Sequence, residues 1–188
     1  MPALEPVEIT AGSLHLRPWR PQDADDVFAV CQDPDIQRWT MVPSPYTHAD
    51  AVTFVERVAP IGWATGTAAH LAVVDATTAG LLASVSLQDM RDTDGILGVA
   101  PGGTAEVGYW CAAEARGRGV TTSAVRALCR WGFGALGLST IRWLALVGNE
   151  PSRTVAHRAG FTIAPEPRPL LNAREGDIAE FWTGTLRP

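Results

Sequence analysis

One stretch narrows the folds open to this chain more than any other. It runs Ala105-Glu-Val-Gly-Tyr-Trp-Cys-Ala-Ala-Glu-Ala-Arg-Gly-Arg-Gly-Val-Thr-Thr122 and continues as an apolar-periodic segment to Leu136. Ala105–Cys111 reads as a strand buried on both faces. Residues from about Gly117 to Leu136 read as the longest helix, with Val125, Leu128, Cys129, Gly132, Phe133 and Leu136 on one side and Gly137 as its cap. A strand that turns through glycines into a long helix exposes backbone N–H groups at the positive end of the helix dipole, a setting that favours a phosphate or pyrophosphate. Gly117 and Gly119 remove side chains that would hold an anion off the backbone, and Arg116 and Arg118 can neutralise further charge. Taken alone, Arg-Gly-Arg-Gly is equally an ordinary helix start with solvated arginines.

The rest of the chain builds elements around this unit. Leu14–Trp19 alternates as a half-buried strand and stops at Pro18 and Pro21. Asp23 offers a cap for a short helix carrying Ala24, Val27, Phe28 and Cys31 on one face and ending at Asp33-Pro34. A second helix is predicted near His48–Val58, with Gly62 to Gly66 as a break. His70–Val74 and Leu81–Leu87 read as strands joined by a hairpin turn, and Gln88–Gly103 as a long exposed loop. Ile141–Val147 is a further strand. Pro151 suits the first turn of a helix that closes at Gly160, and Phe161–Ile163 and Ile178–Leu186 are the last strands. The expected architecture is one mixed α/β domain over residues 1–188.

Composition excludes several chemistries. All 15 basic residues are arginine, so no lysine amine is present for a Schiff base or a Walker-type phosphate loop. The glycines do not follow G-x-G-x-x-G, so a dinucleotide site is not supported. A net charge of -5 speaks against a nucleic-acid partner. No apolar run approaches the roughly 20 residues of a membrane span, and the N-terminal residues lack a signal-peptide pattern. Cys31, Cys111 and Cys129 are scattered, as are His15, His48, His70 and His157, so neither a disulfide framework nor a metal site is expected. A reducing, cytoplasmic setting follows as the expectation.

Three spaced motifs together resemble the GNAT acetyltransferases. Arg116-Gly-Arg-Gly-Val-Thr121 is similar to the family's [Q/R]-x-x-G-x-[G/A] acetyl-CoA loop at Arg116 and Gly119, with Thr121 in place of the small last residue. Glu106-Val-Gly-Tyr-Trp110 resembles the E-[IV]-G-Y-W strand of the subgroup of ribosomal-protein N-terminal acetyltransferases of the RimJ and RimL type. Asn149-Glu-Pro-Ser152 followed by Val155-Ala-His-Arg-Ala-Gly-Phe161 is similar to that subgroup's helix segment, and Leu16-Arg-Pro and Pro45–Ala51 match its style. The resemblance covers roughly residues 14–186. It implies a central mixed, mostly antiparallel sheet of about seven strands with about four helices, in which the strands ending at Cys111 and Val147 splay apart.

The same resemblance implies an enzyme that moves an acetyl group from acetyl-CoA to a primary amine by direct transfer, without metal. The acceptor is a protein N-terminal α-amine or a small-molecule amine. The pyrophosphate would lie on Arg116, Gly117, Arg118, Gly119, Val120, Thr121 and Thr122, and the pantetheine arm on the splayed strands near Trp110, Cys111 and Asn149. Thr121 fits this loop if it offers its N–H and turns its side chain away. Backbone N–H groups near Trp110 and Cys111 can polarise the thioester carbonyl. Ser152 stands where related enzymes place a hydroxyl on the CoA sulfur; it also reads as a first-turn residue bonding local amides. Glu106 stands at the family's general-base position, and it also reads as a strand-start carboxylate satisfying its neighbours. Trp39, Tyr46, Trp63 and Trp182 fall in regions that line the acceptor groove of this fold, or else pack generically. Other readings stay open: a non-catalytic CoA-sensing or partner-binding module, use of another acyl-CoA such as succinyl-CoA, or a homodimer.

Overall fold

Helix caps and prolines divide the first third of the chain, as seen in a computed structural model that describes residues 3–91 and 102–188. Strand β1 (Ile9–Ala11) pairs with β2 (Leu14–Pro18), which stops at its proline. Helix α1 (Ala24–Val30) follows a 3-10 turn. Asp23 was expected to cap α1 with its side chain. Instead its carboxylate takes both Nη atoms of the buried Arg17, at 2.7 and 2.8 Å, and the N–H of Arg20 at 2.8 Å. A bidentate pair to a buried arginine outcompetes a cap, because either charge left alone there would cost several kcal/mol, roughly 3–5.

Helix α2 (Pro34–Trp39) was not anticipated, since Asp33-Pro34 reads as a stop as readily as a start. Asp33 Oδ1 accepts from the N–H of Asp35 at 2.8 Å and of Ile36 at 3.3 Å, with Pro34 in the first turn. Helix α3 (His48–Thr53) opens with a Thr47–Asp50 capping box and runs through a π turn into α4 (Ala59–Thr65). The expected break at Gly62 is therefore helix. A Cβ at Gly62 would lie 2.8 Å from the Ala68 carbonyl oxygen, so this glycine serves close approach, and only Gly66, at φ 68°, ends the helix.

Strands β3 (Ala69–Asp75) and β4 (Leu81–Arg91) form the central hairpin. The loop expected over 88–103 begins later than supposed, because Gln88–Arg91 continue β4; residues 92–101 lie outside the described residues. Strand β5 (Thr104–Cys111) is not buried on both faces as expected. Ala105 and Val107 are buried while Gly108–Cys111 are half-exposed, because they border a cleft. Helix α5 (Val120–Leu136), strand β6 (Thr140–Leu146) and helix α6 (Glu150–Ala159) follow, then β7 (Thr162–Ile163), β8 (Arg168–Asn172) and β9 (Asp177–Leu186).

The strands form one sheet in the order β1-β2-β3-β4-β5-β6-β9-β7, with β8 paired to β9. That gives nine strands and six α-helices among the described residues, against the expected seven or so and four. The short β1 and the proline-interrupted β8 carry no clear alternation. Helix α5 packs on one face of the sheet through Ala124, Val125, Leu128 and Gly132. A Cβ at Gly132 would meet Leu87 Cδ1 at 2.7 Å, so this glycine sets the approach of helix to sheet. Helices α1–α4 cover the other face around Val27, Cys31, Val55, Ala72 and Val74. Each fully buried aliphatic side chain in these layers contributes about 1.5–3 kcal/mol.

Candidate active site

Among the described residues all neighbouring strands pair antiparallel except β5 and β6, and that exception builds the site. The two are parallel and stay in register only at Thr104↔Thr140, Ala105↔Ile141 and Glu106↔Arg142. Beyond Glu106 they part, leaving the β6-facing edge of Val107–Cys111 and the β5-facing edge of Trp143–Leu146 outside the ladder. The fork opens into a cleft of about 870 Å³ that reaches from both faces of the sheet to the start of α5.

The strand-to-helix connection supplies the polar end of this cleft. A 3-10 turn at Ala113–Ala115 leads to Gly117 at φ 73° and Gly119 at φ 76°, conformations that suit glycine, and nothing lies within 4 Å of where either Cβ would stand. The first bond of α5 runs from Ser123 N–H to the Gly119 carbonyl, so the amides of Val120, Thr121 and Thr122 have no partner within the helix. All three residues line the cleft. Thr121 is buried, and its hydroxyl is engaged by the Cys111 thiol, which also lines the cleft. Burial holds that thiol above its ordinary pKa, and it packs as an un-ionised group.

The two loop arginines differ. Arg116 lines the cleft but is already paired, at 2.9 Å from Asp33 Oδ2 and 3.6 Å from Asp35 Oδ2, while its Nε donates to the Cys111 carbonyl at 3.3 Å. It ties the cradle to α2 rather than standing free for a phosphate. Arg118 is exposed and not among the cleft-lining residues; its field is felt by Asp75 instead.

At the start of α6, Asn149 Oδ1 accepts the Ser152 N–H at 3.1 Å, so this buried amide caps the helix as well as bordering the cleft. Ser152 Oγ takes the indole N–H of Trp143 at 3.1 Å and lies 2.9 Å from Tyr109 Oη, which is also 3.0 Å from the Ser152 carbonyl oxygen. Burial raises the Tyr109 phenol to about 12, against the opposing bonds from Ser152 and Trp143. Tyr109 thus joins the site unforeseen, because its partner is 43 residues away in sequence.

Across the fork, Glu106 lines the cleft at the register position between Gln88 of β4 and Arg142 of β6. Burial raises its pKa, Arg142 opposes that rise, Asp89 adds to it, and a bond from Gln88 opposes it. Arg142 Nη2 in turn bonds Asp89 Oδ2 at 2.9 Å. His70, Ser84 and Ser86 extend this floor, and burial lowers the His70 imidazole to about 4, so it is neutral at ordinary pH. His70, Ser84 and Ser86 were not among the expected site residues. The cross-strand sets His70–Ser86–Gly108 and Gln88–Glu106 become visible only once the register is known.

The expected aromatic wall is mostly elsewhere. Trp39 lines the cleft, 3.4 Å from where a Cβ on Gly148 would stand, and Trp110 and Phe54 line it too. Tyr46 is buried against Cys31, Trp63 is in the core beside Trp131, and Trp182 is buried beneath the Arg153 guanidinium; none of these three borders the cleft. Each is claimed by packing that sequence position alone does not reveal. Among the described residues no cluster of ligating side chains could hold a metal ion, and no helix is long and apolar enough to cross a membrane.

A forked mixed sheet with an amide cradle at its mouth defines an acyltransferase-type α/β fold. Residues 13–162 match the family model described as Acetyltransferase (GNAT) domain, and the chain belongs to that family. Over 57 residues it is 47% identical to the Bacillus subtilis (strain 168) protein YdaF, whose name places it among ribosomal N-acetyltransferases; the match spans 30% of this chain and 31% of that one. Among solved structures, RimL, named as the ribosomal L7/L12 alpha-N-protein acetyltransferase and solved with coenzyme A, superposes with a TM-score of 0.79 at 16% identity, covering 96% of this chain and 98% of that one. The microcin C7 self-immunity acetyltransferase MccE, solved with acetyl-CoA and AMP, gives 0.78 at 19% identity over 94% and 93%. The ribosomal-protein-S5-alanine acetyltransferase from Vibrio fischeri gives 0.72 at 18% over 96% of each chain. At these identities the likeness concerns the fold.

Proposed function

We propose that this enzyme transfers the acetyl group of acetyl-CoA to a primary amine, with protein N-terminal α-amines as the acceptor class. The observation that carries the reading is the fork: one cleft joins an amide cradle, two unpaired strand edges, Ser152 and Glu106. The groups present fit the co-substrate. Val120, Thr121 and Thr122 offer amides to a diphosphate, Gly117 and Gly119 leave it room, and the edge of Val107–Cys111 can pair with the two amides of a pantetheine arm as an added strand would. Acetyl-CoA brings the activated thioester; the chain supplies orientation and charge stabilisation.

Glu106 acts as the base that takes the amine proton, directly or through water. Burial raises its pKa, which makes the carboxylate a stronger base, and an α-amine, of ordinary pKa about 7.7–8.0, gives up its proton more readily than a lysine side chain near 10.4. The neutral floor of His70, Ser84 and Ser86 adds hydrogen-bonding groups without a cation that would repel an incoming ammonium. The names of YdaF and RimL support a protein acceptor. Thiol release from acetyl-CoA, measured over N-terminal peptides and small amines, tests the proposal. Turnover with peptides is expected; CoA binding without release on any amine would leave a CoA-sensing module instead.

A further inference from the structure

We propose that Tyr109 is a positioning residue for departure of the sulfur: together with Trp143 it fills the acceptor positions of Ser152 Oγ and so directs the serine hydroxyl hydrogen into the cleft. The inference rests on the reading above, in which the thioester sulfur lies on the Ser152 side of the fork.

The geometry leaves few arrangements. An indole N–H only donates, so Trp143 Nε1 occupies one acceptor position of Ser152 Oγ at 3.1 Å. Trp143 is 1% exposed; its N–H also lies near the Tyr109 phenol, but its aligned hydrogen bond is the one to Oγ. Tyr109 Oη has one hydrogen and two acceptors in reach, the Ser152 carbonyl at 3.0 Å and Oγ at 2.9 Å. With the phenol hydrogen on the carbonyl, the Oη–Oγ contact needs the serine hydrogen, and Ser152 has nothing left to offer. With the phenol hydrogen on Oγ, both acceptor positions of that oxygen are filled, and its own hydrogen is left for the side of Ser152 that lines the cleft. A sulfur gaining negative charge favours the second arrangement. The switch moves one hydrogen between two acceptors on the same residue and needs no backbone motion.

During transfer the amine lone pair forms the C–N bond, the C–S bond breaks with its electron pair on sulfur, and the nitrogen proton passes to Glu106. The Ser152 hydroxyl meets the thiolate with a hydrogen bond. A phenol raised to about 12 is a weaker acid than a thiol of ordinary pKa about 8.5, so the trio stabilises charge and keeps its protons. Sulfur then takes a proton from solvent while Glu106 returns its own. Ser152 is on this account a hydrogen-bond donor to sulfur that keeps its proton.

Tyr109→Phe keeps the shape and removes the switch. It should lower kcat about tenfold, the worth of one hydrogen bond made in the transition state, while the acetyl-CoA Kd and the acceptor KM stay within about twofold. The acid limb of the pH–rate profile, set by Glu106, should not move. Y109F combined with S152A should be no slower than S152A alone, because both remove the same donor. If Y109F fails to fold, 3-fluorotyrosine at position 109, a stronger donor, should raise kcat at unchanged Kd. Wild-type kcat in Y109F, multiplicative effects with S152A, or indifference to fluorination would overturn the inference. Calorimetry separates the failures: no heat with CoA removes the acetyl-transfer reading itself, whereas binding and turnover with an indifferent Tyr109 removes only this one.

Discussion

Glu106 and Arg142 face each other at the last paired position of β5 and β6, so the carboxylate best placed to act as a base stands where the fork begins. Burial raises the Glu106 pKa and Arg142 restrains that rise, while Asp89, bonded to Arg142 at 2.9 Å, weakens the restraint. With Glu106 as the proposed base, kcat/KM should fall as pH drops through its pKa. Arg142→Gln removes a group that favours the charged form and should move that limb to higher pH; Asp89→Asn should move it lower. Glu106→Gln should abolish the limb and cost about 10²–10⁴ in rate. The pH profiles of the three variants check this, and a wild-type profile in E106Q would remove Glu106 from the mechanism.

His70 makes stability depend on pH. Its folded-state pKa of about 4 lies below the ordinary value of 6.5 because burial disfavours the imidazolium. Between those values the unfolded chain binds a proton that the folded chain refuses, so stability should drop as pH falls from about 6.5 towards 4, by about 3 kcal/mol at most. His70→Gln should flatten this part of the curve. Urea unfolding at several pH values reads it directly, and an unchanged slope in H70Q would show that other groups carry the dependence.

The cradle separates two kinds of glycine within a few turns of each other. Gly119 has φ 76° and open space at its Cβ, whereas Gly134 is an exposed interior position of α5 with no positive φ and equal room. Gly134→Ala should stabilise by about 0.5–1 kcal/mol through helix propensity. Gly119→Ala should destabilise by about 1–2 kcal/mol from backbone strain and also place a methyl group against the cradle, weakening CoA at least about tenfold. Thermal melts with and without CoA distinguish the effects; equal CoA protection in both variants would move the diphosphate away from this turn.

The site was legible in the sequence where local chemistry decides and illegible where pairing does. The strand, the two glycines and α5 follow from a contiguous stretch, as does a helix with Pro151 in its first turn. Tyr109 could not be matched to Ser152 before the sheet brought β5 beside α6. Arg116 looked like a free cation because Asp33, more than 80 residues earlier, had no visible reason to reach it. The tryptophans show the same limit: an indole at a plausible position is a wall or a core residue according to the face its strand or helix turns inward. Trp63 and Trp182 turned inward, while Trp39, at the end of an unforeseen helix, faces the cleft.

That division of the tryptophans can be tested through kinetics. Trp39 stands at the C-terminal end of α2, whose start is held to the cradle by the Arg116–Asp33 pair at 2.9 Å, and it packs towards Gly148 at the turn into α6. It borders the cleft against the turn into α6, where the proposed acceptor would enter. Trp39→Ala should raise the acceptor KM by about 10-fold or more, the scale of losing an aromatic contact, with acetyl-CoA Kd changed little. Trp182→Phe, by contrast, removes only part of a buried ring beneath Arg153 and should lower stability while leaving the acceptor KM intact. Steady-state kinetics alongside melting temperatures compare the pair. An acceptor KM that responds to Trp182 and ignores Trp39 would reverse the assignment of the acceptor wall.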